Sequence, residues 1–306
     1  MSAGAAGAAL RSWLFVPGDS ERKQARALSG HADVLILDLE DSVAAAGLPA
    51  ARTRVAALIG APPPALQAQL WVRVNSSGSG LMHEDLAGAC AHGMPAGIVL
   101  PKVSDVREIV EAAAHLATLE AERQRPAGAT RLLVLATETA QGVLALPRYP
   151  RQLRRSPAAY ARLAGLTWGA EDLGSDLGVL ARRHADGSLT APFQHARTLC
   201  LLVAAALGVP AIDTVYTDFR DGAGLAHELG AARRDGFGGK LAIHPDQVAA
   251  INSAFAPTAE ERAQAERVVA AFAAAGNTGV ASLDGRMLDR PHLLHARRIL
   301  GLPPEP

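Results

Sequence analysis

The chain has 306 residues, of which 49% are hydrophobic and 20% are charged, so it is long enough to bury a large core. Lysine plus arginine and aspartate plus glutamate both number 30, and this balance indicates neither a nucleic-acid partner nor a membrane surface. No apolar run reaches the ~18 residues of a membrane helix, and the separated cysteines Cys90 and Cys200 predict reduced thiols in a cytoplasmic protein.

Short β-rich runs alternate with alanine-rich helical stretches along most of the chain. The first ten residues, MSAGAAGAAL, lack the basic segment of a signal peptide, and we predict a flexible tail there. The alternation that follows predicts parallel strands joined by helices, and continuous apolar runs suit strands that are covered on both faces. The predicted strands cover 11–18, 34–40, 70–75, 97–103, 131–138, 165–172, 211–218 and 239–245.

Each of these runs ends in polar or turn residues. Eight parallel strands with polar residues gathered at their carboxyl ends are typical of a (β/α)8 TIM barrel. An open doubly wound sheet is the alternative, but it favours a glycine-rich loop after the first strand, and VPGDSERKQARAL holds one glycine. We therefore predict an α/β fold in which residues 11–256 form a barrel catalytic domain behind the tail at 1–10.

A C-terminal helical extension is predicted over residues 257–306. Its first helix covers 258–276, with Thr258 as N-cap and Glu261 completing a capping box. A turn and a last helix follow over 280–300, and the Asp284–Gly285 pair in that turn is ordinary loop chemistry. Because a barrel does not require this segment, we expect it to complete or cover an active site.

Acidic residues stand at the ends of several predicted strands. The stretch VLILDLEDSV (34–43) ends with Asp38, Glu40 and Asp41, and a buried carboxylate is costly unless it is paired, protonated or bound to a metal. Glu138 and Asp172 follow two later strands. Two carboxylates that leave positions open for water and substrate suit Mg²⁺. Capping of the next helix is the alternative for each, although glutamate is a poor N-cap.

Basic residues also occur in or after predicted strands. Arg73, inside WVRVN, needs an anionic partner, which is either a substrate oxygen or a structural ion pair with Asp38 or Glu40. Lys102 could be a Schiff-base lysine, but nothing around it in the sequence indicates this. His244 is most simply a residue that hydrogen-bonds in the core, and the histidine spacing does not predict a zinc site.

Nine motifs occur in one order between about residues 11 and 300: RSWLFVPGD, DLEDSV, VRVN, GIVLPKV, TETAQGV, GAEDL, AIDTVYTDFRD, GFGGKLAIHPDQVAAIN and LDGRMLD. This ordered set resembles the citrate lyase β-subunit-like (CitE-like) proteins of the HpcH/HpaI aldolase superfamily. The resemblance implies a Mg²⁺-dependent barrel enzyme, in which Mn²⁺ can substitute, that cleaves or forms a C–C bond beside a thioester. The substrates would be malyl-, citramalyl- or citryl-type thioesters on coenzyme A or an acyl carrier protein. The products would be an acyl thioester and a 2-oxo acid. The resemblance also implies a homotrimer or hexamer.

The resemblance also assigns roles to individual residues. Glu138 and Asp172 would be the metal ligands, and Glu40 and Asp41 would hold metal-bound water. Arg73 would contact the substrate carbonyl. The remaining assignments are Asp284 as the catalytic acid/base, further substrate contacts at Gly169, Ala170 and Glu171, and contacts to the coenzyme A phosphates at Arg11 and Lys23.

Two other functions remain open at this point. A class II aldolase acting on free 4-hydroxy-2-oxo acids would keep the barrel and the metal but need neither coenzyme A nor a tail carboxylate. A subunit that binds an acyl carrier protein within a citrate lyase complex would keep the fold but depend on that complex.

Overall fold

The computed structural model describes residues 10–276 and 279–302. Its central feature is a closed barrel of parallel strands, each hydrogen-bonded to the next in chain order, with the eighth closing on the first. The barrel strands are β1 Ser12–Pro17, β2 Val34–Asp38, β3 Gln69–Arg73, β4 Gly97–Leu100, β5 Arg131–Leu135, β6 Leu163–Thr167, β7 Ala211–Asp213 and β8 Gly239–Ala242. The prediction of a (β/α)8 barrel is confirmed, and the open-sheet alternative is wrong.

Helices follow the barrel strands. Within the described residues, no helix has the length and apolar character needed to cross a bilayer. The helices are α1 Glu21–Leu28, α2 Leu48–Gly60, α3 Met82–Ala89, α4 Val106–Glu122, α5 Ala140–Ala145, α6 Tyr149–Leu153, α7 Pro157–Arg162, α8 Ala170–Leu177, α9 Ala191–Leu207, α10 Gly222–Asp235, α11 Val248–Phe255, α12 Ala259–Ala274 and α13 Arg290–Ile299.

Large apolar side chains fill the interior of the barrel. Trp13 of β1 and Trp71 of β3 meet edge to face, with ring centroids 4.8 Å apart, and Ile36 of β2 packs in the same cluster. Gly97, at the start of β4, leaves room for this packing, because a Cβ there would lie 2.3 Å from the Trp71 ring. The polar residues that end β2 and β3 lie beyond this apolar filling.

The contacts divide the chain into a unit over Leu10–Ala254 and a second unit that begins at Phe255. In the second unit, α12 and α13 pack with a hairpin of β9 Val280–Leu283 and β10 Arg286–Asp289 around Phe272 and Leu293. The capping box of Thr258 and Glu261 is confirmed. The prediction of only a turn before the last helix is wrong, because two short strands flank that turn. The role of the extension at an active site stays a prediction.

Candidate active site

A cavity of about 610 Å³ opens at the carboxyl ends of the barrel strands. The residues around it come from loops that follow different strands, which is the usual site of chemistry in this fold. Its charged and polar lining includes Asp41, Arg73, Glu138, Asp172 and His244. Four of these five residues were predicted from sequence to act on substrate, metal or metal-bound water.

Arg73, the last residue of β3, is held by carboxylates from β2 and the loop after it. Its Nε and Nη2 donate to the two oxygens of Asp38 at 2.7 and 2.8 Å. Its Nη1 lies 3.0 Å from Oε2 of Glu40, at an angle that makes no hydrogen bond, and 3.4 Å from Oδ2 of Asp41. The structural ion pair left open by the sequence is therefore present, and the same guanidinium also lines the cavity.

Glu138 lies in the loop after β5, and Asp172 lies in the first turn of α8, the helix that follows β6. Glu138 is 3% exposed, and its Oε2 accepts the backbone N–H of Lys102 at 2.6 Å. Burial, and then the charges of Asp172 and Glu40, raise the pKa of Glu138 well above its ordinary value. Neither carboxylate caps its helix: Thr139 is the N-cap of α5, and Asp172 lies inside the first turn of α8.

Gly169, the N-cap of α8, lies against the Glu138 side chain. A Cβ at this position would be 2.5 Å from Cγ and 3.0 Å from Oε1 of Glu138. Gly169, Ala170 and Glu171 all line the cavity, as substrate contacts would, although Glu171 is also paired with Arg182 at 2.8 Å. The glycine therefore sets the place of one predicted metal ligand.

Lys102 connects carboxylates from different loops. Its Nζ lies 2.6 Å from Glu40, 3.1 Å from Asp41 and 3.4 Å from Asp172. Burial would lower the pKa of Lys102, but its hydrogen bond to Glu40 and the surrounding negative charges raise it instead. A Schiff-base lysine needs a neutral amine, so this environment does not fit that alternative.

The cluster carries an excess of negative charge. Five carboxylates face two cations, which leaves three negative charges in excess when every group is ionised; the carboxylates are Asp38, Glu40, Asp41, Glu138 and Asp172, and the cations Arg73 and Lys102. Burial raises the pKa of Glu40 to about 7, against the opposing charges of Arg73 and Lys102. A divalent cation would offset this repulsion, so the residues fit Mg²⁺.

The cluster does not form a closed metal cage. Among residues 10–276 and 279–302, no three histidine, cysteine, aspartate or glutamate side chains converge as metal ligands. A pair of carboxylates that is completed by water and substrate is the arrangement that Mg²⁺ usually takes in enzymes. Glu138 and Asp172 can supply such a pair.

The two predicted contacts to coenzyme A phosphates lie at opposite ends of β1. Lys23, on α1, lines the cavity beside Arg22 and Arg26. Arg11 precedes the first residue of β1, at the amino end of the barrel, where its guanidinium pairs with Asp33 at 3.1 Å. The prediction for Arg11 does not fit this position. The predicted strand over 11–18 already placed Arg11 at its amino end, and the resemblance-based assignment overlooked this.

Arg22, Arg26, Asp38 and His244 line the cavity, but the sequence assigned them no contact with substrate or metal. The spacing of Arg22, Lys23 and Arg26 on a helix that follows the first strand was a usable signal for a basic rim. Asp38 was predicted only as part of an acidic run and as a possible structural ion-pair partner of Arg73. His244 accepts the backbone N–H of Asp246 and stacks on Phe219. The predicted hydrogen bond is present, but the side chain is 26% exposed and borders the cavity, so its predicted place in the core is wrong.

Asp284 belongs to the second unit, in the turn between β9 and β10. Its side chain is 62% exposed and is paired with Arg267 of α12. Its backbone has a left-handed φ of +52°, followed by +75° at Gly285, as in the two-residue turns that favour Asp-Gly. The acid/base role of Asp284 stays a prediction.

Comparison with known proteins agrees with the geometry of the barrel. The family model described as HpcH/HpaI aldolase/citrate lyase matches residues 11–245. The chain belongs to this family. The resemblance stated from the ordered motifs is confirmed.

Relatives match this family member over nearly its whole length. A citrate lyase subunit beta-like protein of Mycobacterium tuberculosis is 34% identical, covering 94% of this chain and 93% of that protein. Human mitochondrial citramalyl-CoA lyase is 33% identical, covering 95% and 85%. A solved structure of M. tuberculosis CitE with magnesium, acetoacetate and coenzyme A has a TM-score of 0.72 at 34% identity, covering 96% of this chain and 97% of that one.

Proposed function

We propose that the chain is a Mg²⁺-dependent carbon–carbon lyase, which cleaves a β-hydroxyacyl-CoA thioester into an acyl thioester and a 2-oxo acid or catalyses the reverse condensation. One observation carries the proposal: Glu138 and Asp172 face the same cavity as a buried, carboxylate-bound Arg73. Similarity to citramalyl-CoA lyase and to CitE with magnesium and coenzyme A supports it.

The metal and the substrate would meet at the carboxylates. Glu138 and Asp172 would hold Mg²⁺, with water held by Glu40 and Asp41. Bound there, Mg²⁺ would lower the pKa of the substrate β-hydroxyl and orient the bond that breaks. The start of α8 would contact the substrate through Gly169 to Glu171.

Arg73 would stabilise the leaving fragment. Breaking the C–C bond leaves a thioester enolate, whose oxygen gains negative charge as the reaction proceeds. A preorganised donor at such an oxygen is worth about 10²–10³ in rate. The guanidinium is suited to this because its position is fixed before substrate arrives.

Asp284 is proposed as the acid that protonates the enolate carbon, and as the base in the reverse direction. The resemblance of the LDG motif supports this role, and the exposed carboxyl group is accessible to a proton donor. We expect Asp284→Asn to lower kcat by about 10²–10⁴-fold while Mg²⁺ affinity is unchanged. Normal turnover by this variant would remove Asp284 from the mechanism.

Coenzyme A is the proposed carrier of the acyl group. Arg22, Lys23 and Arg26 bring three cations from α1 to the cavity, and cations of this kind bind phosphate groups. An acyl carrier protein would be used instead if the enzyme turned over only protein-bound thioesters.

A panel of substrates tests the function. The purified protein is incubated with Mg²⁺ and malyl-, β-methylmalyl- or citramalyl-CoA, and any 2-oxo acid is trapped with phenylhydrazine. 3-Hydroxy-3-methylglutaryl-CoA would release acetoacetate, which needs its own assay. Activity that persists in Asp172→Ala, or in metal-free enzyme, would contradict the mechanism. Turnover of free 4-hydroxy-2-oxo acids without coenzyme A would indicate an aldolase.

We also propose a cytoplasmic homotrimer or hexamer. Cys90 and Cys200 are both buried and unlinked, in keeping with a reducing compartment. The family resemblance supports the assembly. Cell fractionation and light scattering of the purified protein test the two parts.

A further inference from the structure

Asp38, the last residue of β2, uses its whole acceptor capacity within the protein. It is 1% exposed. Its oxygens accept Nε and Nη2 of Arg73 at 2.7 and 2.8 Å, and the backbone N–H groups of Glu40 at 3.0 Å and Ser42 at 3.1 Å. A carboxylate has about four lone-pair sites. Asp38 therefore has no site left for a metal ion or a substrate.

These hydrogen bonds restrict the position of Arg73, which is paired with Asp38 in the β2–β3 register. The two parallel hydrogen bonds fix the plane of the guanidinium. Phe15 of β1 covers one face, with its ring centroid 4.7 Å from Cζ of Arg73. Asp38 thus occupies one edge of the guanidinium and Phe15 one face, so Nη1 of Arg73 points toward Glu40 and Asp41.

This arrangement keeps Arg73 away from the predicted metal ligands. Among the described residues, no ion pair joins Arg73 to Glu138 or Asp172, although Glu138 is close enough to raise the pKa of Arg73. An arginine side chain without a fixed partner is free to turn toward the excess carboxylates and neutralise them. Such a turn would remove the donor from the substrate and a ligand from the metal.

We propose that Asp38 is a positioning residue that, with Phe15, clamps the Arg73 guanidinium for the thioester carbonyl and holds it off Glu138. The inference rests on the proposed lyase function. Asp38 also borders the cavity, but because its acceptors are occupied, it would act only through Arg73.

The chain contains a matched control for this clamp. Glu120 is also 1% exposed, and it accepts Nη1 and Nη2 of Arg162 at 2.7 and 2.6 Å and the backbone N–H groups of Gly128 and Thr130, both at 2.8 Å. This second clamp lies at the amino ends of β5 and β6. Glu120→Gln therefore removes the same kind of buried interaction at the other end of the barrel.

The experiment compares Asp38→Asn, Arg73→Met, their double variant and Glu120→Gln in the full-length protein. Steady-state kinetics give kcat and KM, electron paramagnetic resonance gives Mn²⁺ affinity, and a thermal scan gives Tm. We expect Asp38→Asn to lower kcat and Mn²⁺ affinity by about 10–100-fold. Glu120→Gln should lower Tm but leave kcat and Mn²⁺ affinity unchanged.

The double variant decides whether Asp38 acts through Arg73. If it does, the double variant is no slower than Arg73→Met, because coupled residues are not additive. The proposal would be overturned if the double variant lost kcat by the product of the two single losses. It would also be overturned if Glu120→Gln lost as much kcat as Asp38→Asn. If Asp38→Asn does not fold, Phe15→Leu takes its place, with an expected fall in kcat of about 3–10-fold and an unchanged kcat as the contrary result.

Failure of the lyase function would be seen separately, as no turnover of any thioester by the natural protein. The clamp is then judged by the crystal structure of Asp38→Asn and by its Mn²⁺ affinity. A guanidinium turned toward Glu138 with weakened Mn²⁺ binding supports the proposal. An unmoved guanidinium overturns it.

Discussion

At the scale of single residues, a glycine controls where the predicted metal ligand Glu138 can lie. Gly169 has φ −118° and ψ 117°, which alanine also adopts, so its backbone does not require glycine. The requirement comes from the Glu138 side chain, which a Cβ would approach to 2.5 Å. Since Glu138 is buried and hydrogen-bonded to the Lys102 backbone, it has little room to move away.

Gly169→Ala is therefore expected to displace Glu138 without unfolding the barrel. We predict that Mn²⁺ affinity falls by about 10–100-fold, as for other changes that disturb the setting of a ligand. Isothermal titration calorimetry measures it. Gly238→Ala is the control, because a Cβ there meets nothing closer than Pro210 at 3.6 Å. Equal affinity in both variants would show that Glu138 is not a ligand.

Asp41 gives a second prediction at this scale. Its carboxylate is half exposed, lines the cavity and lies within 3.4 Å of both Arg73 and Lys102. Asp41→Asn removes a negative charge beside the predicted metal and should weaken Mg²⁺ binding by about 10–100-fold, with folding retained. Asp19→Asn, in the exposed turn after β1, is the control. An unchanged affinity for Asp41→Asn would leave Asp41 with a purely structural pairing.

At the scale of elements, sequence patterns predicted the strands better than the contacts between their ends. Apolar runs bounded by turn residues located the barrel strands, since burial on both faces leaves a direct record in the sequence. The β9–β10 hairpin was missed, although Asp284–Gly285 is a strong hairpin signal. Its strands have four residues each, which is too short for the alternation of half-buried strands to be recognised in the sequence.

The sequence predicted which residues end the strands, but not all of the contacts between them. Motifs placed Glu138, Asp172 and Arg73 at strand ends, and the barrel brings such ends together. The motifs could not show that Asp38 accepts hydrogen bonds only from Arg73 and two backbone N–H groups. These contacts depend on the register between β2 and β3. The position of Arg11 at the amino end could have been predicted, because Arg11 is the first residue of the predicted strand 11–18.

The capping box of α12 provides a prediction for an element. Thr258 accepts the N–H of Glu261, whose side chain accepts the N–H of Thr258 in return. Thr258→Ala should cost about 0.5–2 kcal/mol, which corresponds to about 2- to 30-fold faster amide exchange where α12 opens locally. Thr118→Ala, inside α4, is the control and should not speed exchange there. Unchanged exchange in α12 would mean that the box is not formed in solution.

At the scale of the whole molecule, the active site reduces the stability of the metal-free protein. Buried like charges oppose folding, and the pKa of Glu138 is raised well above its ordinary value mainly by burial and then by Asp172. Functional sites often carry such a cost in stability. A cation that binds only the folded state offsets it by mass action, with about 2.7 kcal/mol at one hundred times Kd.

Glu138→Gln should therefore change the Tm in two opposite ways. Without metal, the variant should have a higher Tm than the natural chain at pH 7, because a neutral amide replaces a carboxyl group that ionises unfavourably when buried. With Mg²⁺, the natural chain should gain Tm and the variant should not. The pH dependence has a definite sign: an acid with a raised folded pKa destabilises the protein above its unfolded pKa, about 4.3 for glutamate. The difference in Tm between metal-free Glu138→Gln and the metal-free natural chain should therefore shrink as the pH falls toward about 4.3. Scanning fluorimetry with and without Mg²⁺ measures all three effects, and a lower metal-free Tm for Glu138→Gln would show that Glu138 stabilises the fold rather than serving the site.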